Sequence, residues 1–268
     1  MKSYTAKTAL VTGASAGIGR SLAIDLAARG AKLILVARSA DALEDLAGEL
    51  RTTHGTEVAV IAMDLARPGA AADLHAAVTA RGLSVDLLVN NAGFGKWGAF
   101  GDIDMATYVG MIDLNITTLV ALCHVFLPDM AARGDCGILN VGSTASFVPV
   151  PWSTVYAATK AFVLSFSEAL SLEYRDRGVQ VTALCPGATA SNFAIVANPA
   201  ARPDGTDATP DSVARIGLNA LLAGRISVIP GAGNQMIALL PRLLPRGLVL
   251  RAVGRVWRQI LARRGIRL

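Results

Sequence analysis

The tightest constraint on the fold is the stretch Thr12-Gly-Ala-Ser-Ala-Gly-Ile-Gly19. It stands between a short apolar run, Thr8–Thr12, and a periodic segment from Ile18 to Arg29. Gly13, Gly17 and Gly19 permit a tight turn and let backbone approach a bound group closely. A helix that starts there offers unpaired N–H groups and the positive end of its dipole. Strand, glycine turn and helix in this order make the context that binds a dinucleotide pyrophosphate. Gly13, Ser15, Gly17, Ile18 and Gly19 are therefore candidate cofactor contacts.

The alternation continues along the chain. Residues 31–37, 57–63, 85–90, 137–141, 178–184 and 226–229 read as apolar strands. Helical periodicity covers 41–51, 70–80, 105–133 and about 156–177. Repeated β-α-β units build a parallel sheet covered by helices on both faces, and near-continuous apolar strands agree with burial on both sides. The expected fold is α/β, a doubly wound parallel sheet of the Rossmann type in three layers, with a helical C-terminal extension. Residues 1–268 read as one unit, a usual length for such a sheet. Its ligand is expected at the carboxyl ends of the strands. Residues 192–211, rich in Ala, Pro, Asp and Gly, read as a mobile substrate lid.

The second strand ends in Ala37-Arg38-Ser39, with no acid to accept a ribose 2′-OH. A guanidinium can hydrogen-bond a 2′-phosphate with charge assistance, so Arg38 points to NADP over NAD. Further along, Tyr156-Ala-Ala-Thr-Lys160 puts a phenol and an ammonium on one helix face. An adjacent cation favours phenolate and lowers the phenol pKa, which makes tyrosine usable in acid–base chemistry. Ser143, after the fifth strand, can point its hydroxyl at the same spot.

Taken together in one order, TGASAGIG, Asn90-Asn-Ala-Gly93, Ser143, YAATK and Pro186-Gly187 make the chain resemble the single-domain short-chain dehydrogenases/reductases. The resemblance covers roughly residues 5–196 and includes ketoacyl reductases and hydroxysteroid dehydrogenases. It implies Tyr156 as acid/base, Lys160 as ribose holder and pKa-lowering cation, and Ser143 as orienter of the carbonyl. Asn115 matches the asparagine that supports a proton-relay water. Asp64 and Leu65 match positions beside the adenine, and Asn91, Ala92 and Gly93 border the adenine ribose. Pro186, Gly187, Thr189 and Ser191 correspond to the nicotinamide-binding motif, with Ser191 where threonine is usual. Ser15-Ala16 stand where many NADP-preferring members carry a basic residue, so of the two basic positions only Arg38 is present.

The implied activity is NADP(H)-dependent interconversion of a ketone or aldehyde and an alcohol. Phe94, Trp97, Phe147, Val148, Val150, Trp152, Phe193 and Ile195 are uncharged pocket candidates and suggest an apolar substrate. Two other readings use the same fold: a non-catalytic dinucleotide-binding sensor or scaffold, and an epimerase or dehydratase. The sensor needs none of the four candidate catalytic residues. The epimerases usually carry a larger C-terminal substrate domain.

Apolar residues at 53% against charged residues at 17% specify a dense core and exclude disorder. Cys123, Cys136 and Cys185 stand singly, as buried thiols of a reducing compartment do. The three histidines have no ligand spacing, so no metal is expected. The N-terminus lacks an apolar signal region, and no run of about 20 apolar residues is uninterrupted; a cytoplasmic homo-oligomer that does not span a membrane is expected. Charge is uneven. From Ser212 to Leu268 there are ten arginines, no lysine and no carboxylate. No nucleic-acid motif accompanies them. Pro241 and Pro245 are expected to bracket a break within the tail, 232–268, with a helix over 247–264. Its apolar face, with Leu250, Val253, Trp257, Ile260 and Leu261, has two uses. It packs on the body or a second subunit, or it makes a peripheral contact with an anionic membrane.

Overall fold

A computed structural model describes residues 1–201 and 207–266. Seven parallel strands form one sheet in the order β3-β2-β1-β4-β5-β6-β7. They are β1 Thr8–Thr12, β2 Lys32–Ala37, β3 Val58–Ala62, β4 Leu87–Asn90, β5 Cys136–Val141, β6 Val179–Leu184 and β7 Ser227–Val228. Successive side chains of a strand point to opposite faces. Ala9 and Val11 of β1 accordingly join one core cluster with Leu33 and Leu35 of β2. Leu10, Ile34 and Val36 join the other.

The first cluster is covered by α1 (Gly17–Ala28), α2 (Ala40–His54) and α8 (Pro210–Leu222). The second is covered by α3 (Ala70–Thr79), α5 (Leu119–Arg133) and α6 (Thr154–Tyr174). Strand order reverses between β1 and β4, the switch point where such sheets open a crevice at their carboxyl ends. Thr12, Asn90, Ser143 and Pro186 all lie at those ends.

Three expectations about local structure change. The helical region 105–133 is not uniform: α4 (Met105–Ile112) and α5 are joined by a π-helical turn, Asp113–Thr118. A π-turn inserts a residue without ending the helix, and such turns favour functional sites. This stretch, Met105–Arg133, is also long and apolar enough by length and composition to cross a membrane, which the sequence reading held no segment to be. In the fold, Leu119, Leu122, Cys123, Phe126, Leu127 and Met130 of α5 are buried in the core.

Pro241 does not break the tail. It lies inside α9 (Ala232–Leu243), and only Pro245 separates α9 from α10 (Arg246–Arg263). A proline removes one hydrogen bond, to the carbonyl four residues back, and α9 continues past it. Within the expected lid, α7 (Phe193–Ala197) is helical and Thr189 bridges to Ala208. Residues 202–206 of that lid lie outside the described residues.

Candidate active site

The glycine turn is a backbone cradle. Gly13 and Gly17 have φ of 64° and 55°, in the left-handed region that other residues rarely adopt. A Cβ on Gly19 would sit 2.2 Å from the Gly13 carbonyl oxygen and 2.4 Å from Asn91 Nδ2. Asn91 Nδ2 donates to the carbonyls of Thr12 (2.9 Å) and Gly13 (3.2 Å). Thr12 Oγ1 accepts the N–H groups of Asn91 and Ala92, both at 3.0 Å, which locks the ends of β1 and β4 together. Helix α1 has no side-chain cap and no acid in its first turn. Its leading N–H groups and dipole are left for an anion. The residues present thus fit a dinucleotide pyrophosphate. Ser15 is half-buried in the turn, and Ile18 packs into the core.

Other expected cofactor positions surround this cradle. Arg38 is exposed at the end of β2 and makes no salt bridge among the described residues. Asp64 is exposed, and its Oδ1 accepts the Ala66 N–H at 3.0 Å. Leu65 is a core residue whose carbonyl accepts from Thr118 Oγ1, so its side chain is not available to a cofactor. The Pro186 carbonyl accepts from Thr144 N–H, and Thr189 Oγ1 donates to the Gly187 carbonyl. Ser191 reaches across to Gly17, where an added Cβ would meet its Cβ at 3.1 Å.

Ser143, Tyr156 and Lys160 are brought together beside the cradle. Ser143 Oγ accepts the Ala145 N–H at 3.1 Å, and the Ser143 hydroxyl acts to lower the pKa of the neighbouring Tyr156 phenol. Lys160 Nζ lies 5.8 Å from the Tyr156 ring centroid and donates to the Val141 carbonyl at 2.7 Å. Asn115, fully buried in the π-turn, receives the Phe94 N–H on Oδ1 (3.1 Å). Its Nδ2 donates to the Phe94 carbonyl (2.9 Å) and Thr159 Oγ1 (3.1 Å). These bonds clamp the loop after β4 to α6. Gly93 must be small there, since a Cβ would lie 2.8 Å from Asn115 Oδ1.

Residues 7–201 match the family described as short chain dehydrogenase. The chain belongs to that family. Among curated relatives, the very-long-chain 3-oxoacyl-CoA reductase of Anas platyrhynchos is 33% identical over 95% of this chain and 81% of its own length. Against the Danio rerio reductase-A of that name the chain spans only 61% of the relative. A solved short-chain dehydrogenase from Sphingobium yanoikuyae, in complex with NADPH, is 32% identical with a TM-score of 0.79. That match covers 91% of this chain and 95% of the solved one.

In this short-chain dehydrogenase the expected lowering of the phenol pKa does not occur. Burial pushes Tyr156 up to about 12, and the Ser143 hydrogen bond pulls it down by less. Burial also pushes Lys160 down to about 8. The ammonium donates to the Val141 carbonyl, and desolvation is the largest cause of the shift at both groups. The sign of the stability effect follows. Below pH 8 both folded and unfolded Lys160 are charged and the burial cost is complete. Between about 8 and 10.5 only the folded state releases the proton, so stability rises with pH there. Thermal melts of the wild type and Lys160→Met should therefore draw together, or cross, through that window. Parallel curves would show that the ammonium is not desolvated.

The sequence did not single out several residues of the site. Gly95 must lack a Cβ, because one would lie 2.9 Å from both Tyr156 and Phe193. Its glycine letter was the available signal. Thr159 and Ser146 brace the helix turn that carries Tyr156 and Lys160, with Ser146 Oγ donating to the Lys160 carbonyl at 2.7 Å. Beneath the site, Asn90 Nδ2 donates to Asn140 Oδ1, and Asn140 Nδ2 to Ser167 Oγ, both at 2.9 Å.

Of the pocket candidates, Phe193 of α7 lies over Tyr156 with ring centroids 5.3 Å apart. Trp97 meets Phe193 and, from the tail, Trp257, at 6.4 and 5.7 Å. Trp152 packs in the same cluster. Val148 and Val150 are core residues, and Ile195 is exposed. An apolar groove of about 530 Å³ lies between residues 146–161 and α10. It is lined by Phe147, Val148, Leu250 and Arg246 among others, and neither Ser143 nor Tyr156 contributes to it.

Proposed function

We propose that the chain is an NADP(H)-dependent reductase of apolar ketones, with Tyr156 as proton donor. The observation that carries the reading is the grouping of Tyr156, Ser143 and Lys160 beside the glycine cradle, with Ser143 acting on the phenol and Lys160 Nζ 5.8 Å from its ring centroid. A phenol raised to about 12 keeps its proton at neutral pH, the state required to give it to a carbonyl oxygen. The nicotinamide of the bound cofactor supplies the hydride. Ser143 and Tyr156 then hydrogen-bond the developing alkoxide, oxyanion-hole fashion. Asn115, through Phe94 and Thr159, positions the loop and helix that hold this pair. Lys160 would hold the nicotinamide ribose, and Asn91, Ala92 and Gly93 would border the adenine ribose. A cation-lowered phenol is not needed for this direction.

An apolar substrate is supported by the aromatic wall of Trp97, Trp152, Phe193 and Trp257, and by the oxoacyl reductase relative. Of the expected lid, α7 would act so, since it brings Phe193 to 5.3 Å from the Tyr156 ring. NADP(H) is supported by Arg38 at a strand end without an acid, and by the NADPH complex of the solved relative. The test is the ratio of specificity constants for NADPH and NADH, measured with long-chain 3-oxoacyl thioesters and bulky ketones. Arg38→Asp should shift that ratio toward NADH by at least about tenfold, the value of one charge-assisted hydrogen bond at about 1.5–3 kcal/mol. An unmoved ratio would place the discrimination elsewhere, and no turnover with any member of the panel would sink the substrate class.

A further inference from the structure

Of the two uses open to the tail's apolar face, α10 takes the first. Val249 and Leu261 are buried, and Val253 and Trp257 pack against Val148, Val150, Trp97 and Trp152. That face is therefore not free for a membrane. Helix α9 is built the other way round. Ala238, 4% exposed, is the buried position among those of α9 whose side chains are described, and Asn234 fits against Gly187. At about 100° per residue, Met236, Leu239 and Leu243 share the opposite side, and all three are exposed, Leu243 by 73%. Leu244 and Leu248 carry exposed apolar surface around the elbow into α10. On α10, Leu248, Arg251 and Arg255 fall on the arc facing away from the inward-facing Val249, Val253, Trp257 and Leu261, and both arginines are exposed. Among the described residues neither arginine has a carboxylate partner, and residues 212–268 contain none.

We infer that α9 and the α9–α10 elbow form a peripheral docking surface for an anionic lipid bilayer, with the Met236–Leu239–Leu243 stripe entering the interface. Large apolar side chains aligned outward on a helix cost solubility unless something covers them. Arginines alone, without acids, select a cover that is itself negative. Interfacial helices combine these two features, an apolar face in the acyl boundary and cations at the headgroups. A second copy of the chain would bring its own arginines to the same surface and face like charge.

The test is co-sedimentation of the intact protein with phosphatidylcholine vesicles carrying about one-third phosphatidylglycerol, at low and high salt. Binding is expected at low salt and should weaken as salt screens the charges. The triple variant Met236→Glu, Leu239→Glu, Leu243→Glu changes only exposed positions and should lower the bound-to-free ratio at least about tenfold. Arg251→Gln with Arg255→Gln should lower it too, while NADPH turnover by both variants stays at the wild-type level. The inference is overturned if the protein ignores anionic vesicles at low salt, or if it binds neutral vesicles equally well. It is overturned also if light scattering shows the triple variant dissociating an oligomer while vesicle binding is unchanged.

Discussion

Tyr156→Phe should lower kcat at least about 10²-fold, the lower range for losing a positioned proton donor, with NADPH affinity unchanged. The substitution removes one oxygen and keeps the ring. The contact with Phe193 at 5.3 Å and the close approach of Gly95 both survive, so the wall over the site is undisturbed. What goes is the phenol proton, in the group on which Ser143 acts. Steady-state kinetics with a ketone substrate, together with NADPH titration by fluorescence, separate the two effects. Near-normal turnover in the Phe variant would mean that another group protonates the carbonyl.

Gly19→Ala should abolish cofactor binding and cost about 3 kcal/mol of stability, the upper end for overpacking a closed site. A Cβ there would meet a backbone oxygen at 2.2 Å and Asn91 Nδ2 at 2.4 Å. Neither is the far end of a flexible side chain, because Asn91 is held by two carbonyls. The turn must lift off α1, which separates the N–H groups from the cradle that aims them. At roughly 2–4 °C per kcal/mol for a domain near this size, Tm should fall by about 6–12 °C. Gly48 provides the control. It lies within α2 with nothing within 4 Å of an added Cβ, so Gly48→Ala should be neutral or stabilising by up to about 1 kcal/mol. Equal behaviour of the two variants would show that the glycine turn is not sterically closed.

The cradle was legible in the sequence because glycine at a strand–helix junction encodes a backbone geometry directly. The sheet was legible for a similar reason. Val, Leu and Ile in unbroken runs such as Lys32–Ala37 can only be buried on both faces. What a side chain touches across the fold was not encoded locally. The four-residue spacing of Tyr156 and Lys160 is correct as helix geometry, yet the ammonium goes to Val141, contributed by a strand nineteen residues earlier. The balance between burial and attraction is a property of the assembled crevice, so the sign of the phenol's shift could not be read from the motif. The π-turn around Asn115 was hidden because an extra residue leaves a long apolar helix pattern intact on either side. Trp257 was read as part of an amphipathic face, which it is, but the sequence does not say that this face closes on Trp97.

That last contact bears on the order in which the protein becomes competent during synthesis. Chains emerge from the ribosome N-terminus first. The glycine cradle uses residues 12–19 and 90–93, and Ser143, Tyr156 and Lys160 lie within 143–160. The aromatic wall, in contrast, joins Trp97, Trp152 and Phe193 to Trp257, Leu261 and Ile266, and an Arg264–Asp207 ion pair at 2.7 Å ties the same end of the chain to the stretch just before α8. A nascent chain therefore completes its glycine cradle many residues before the aromatic wall can close.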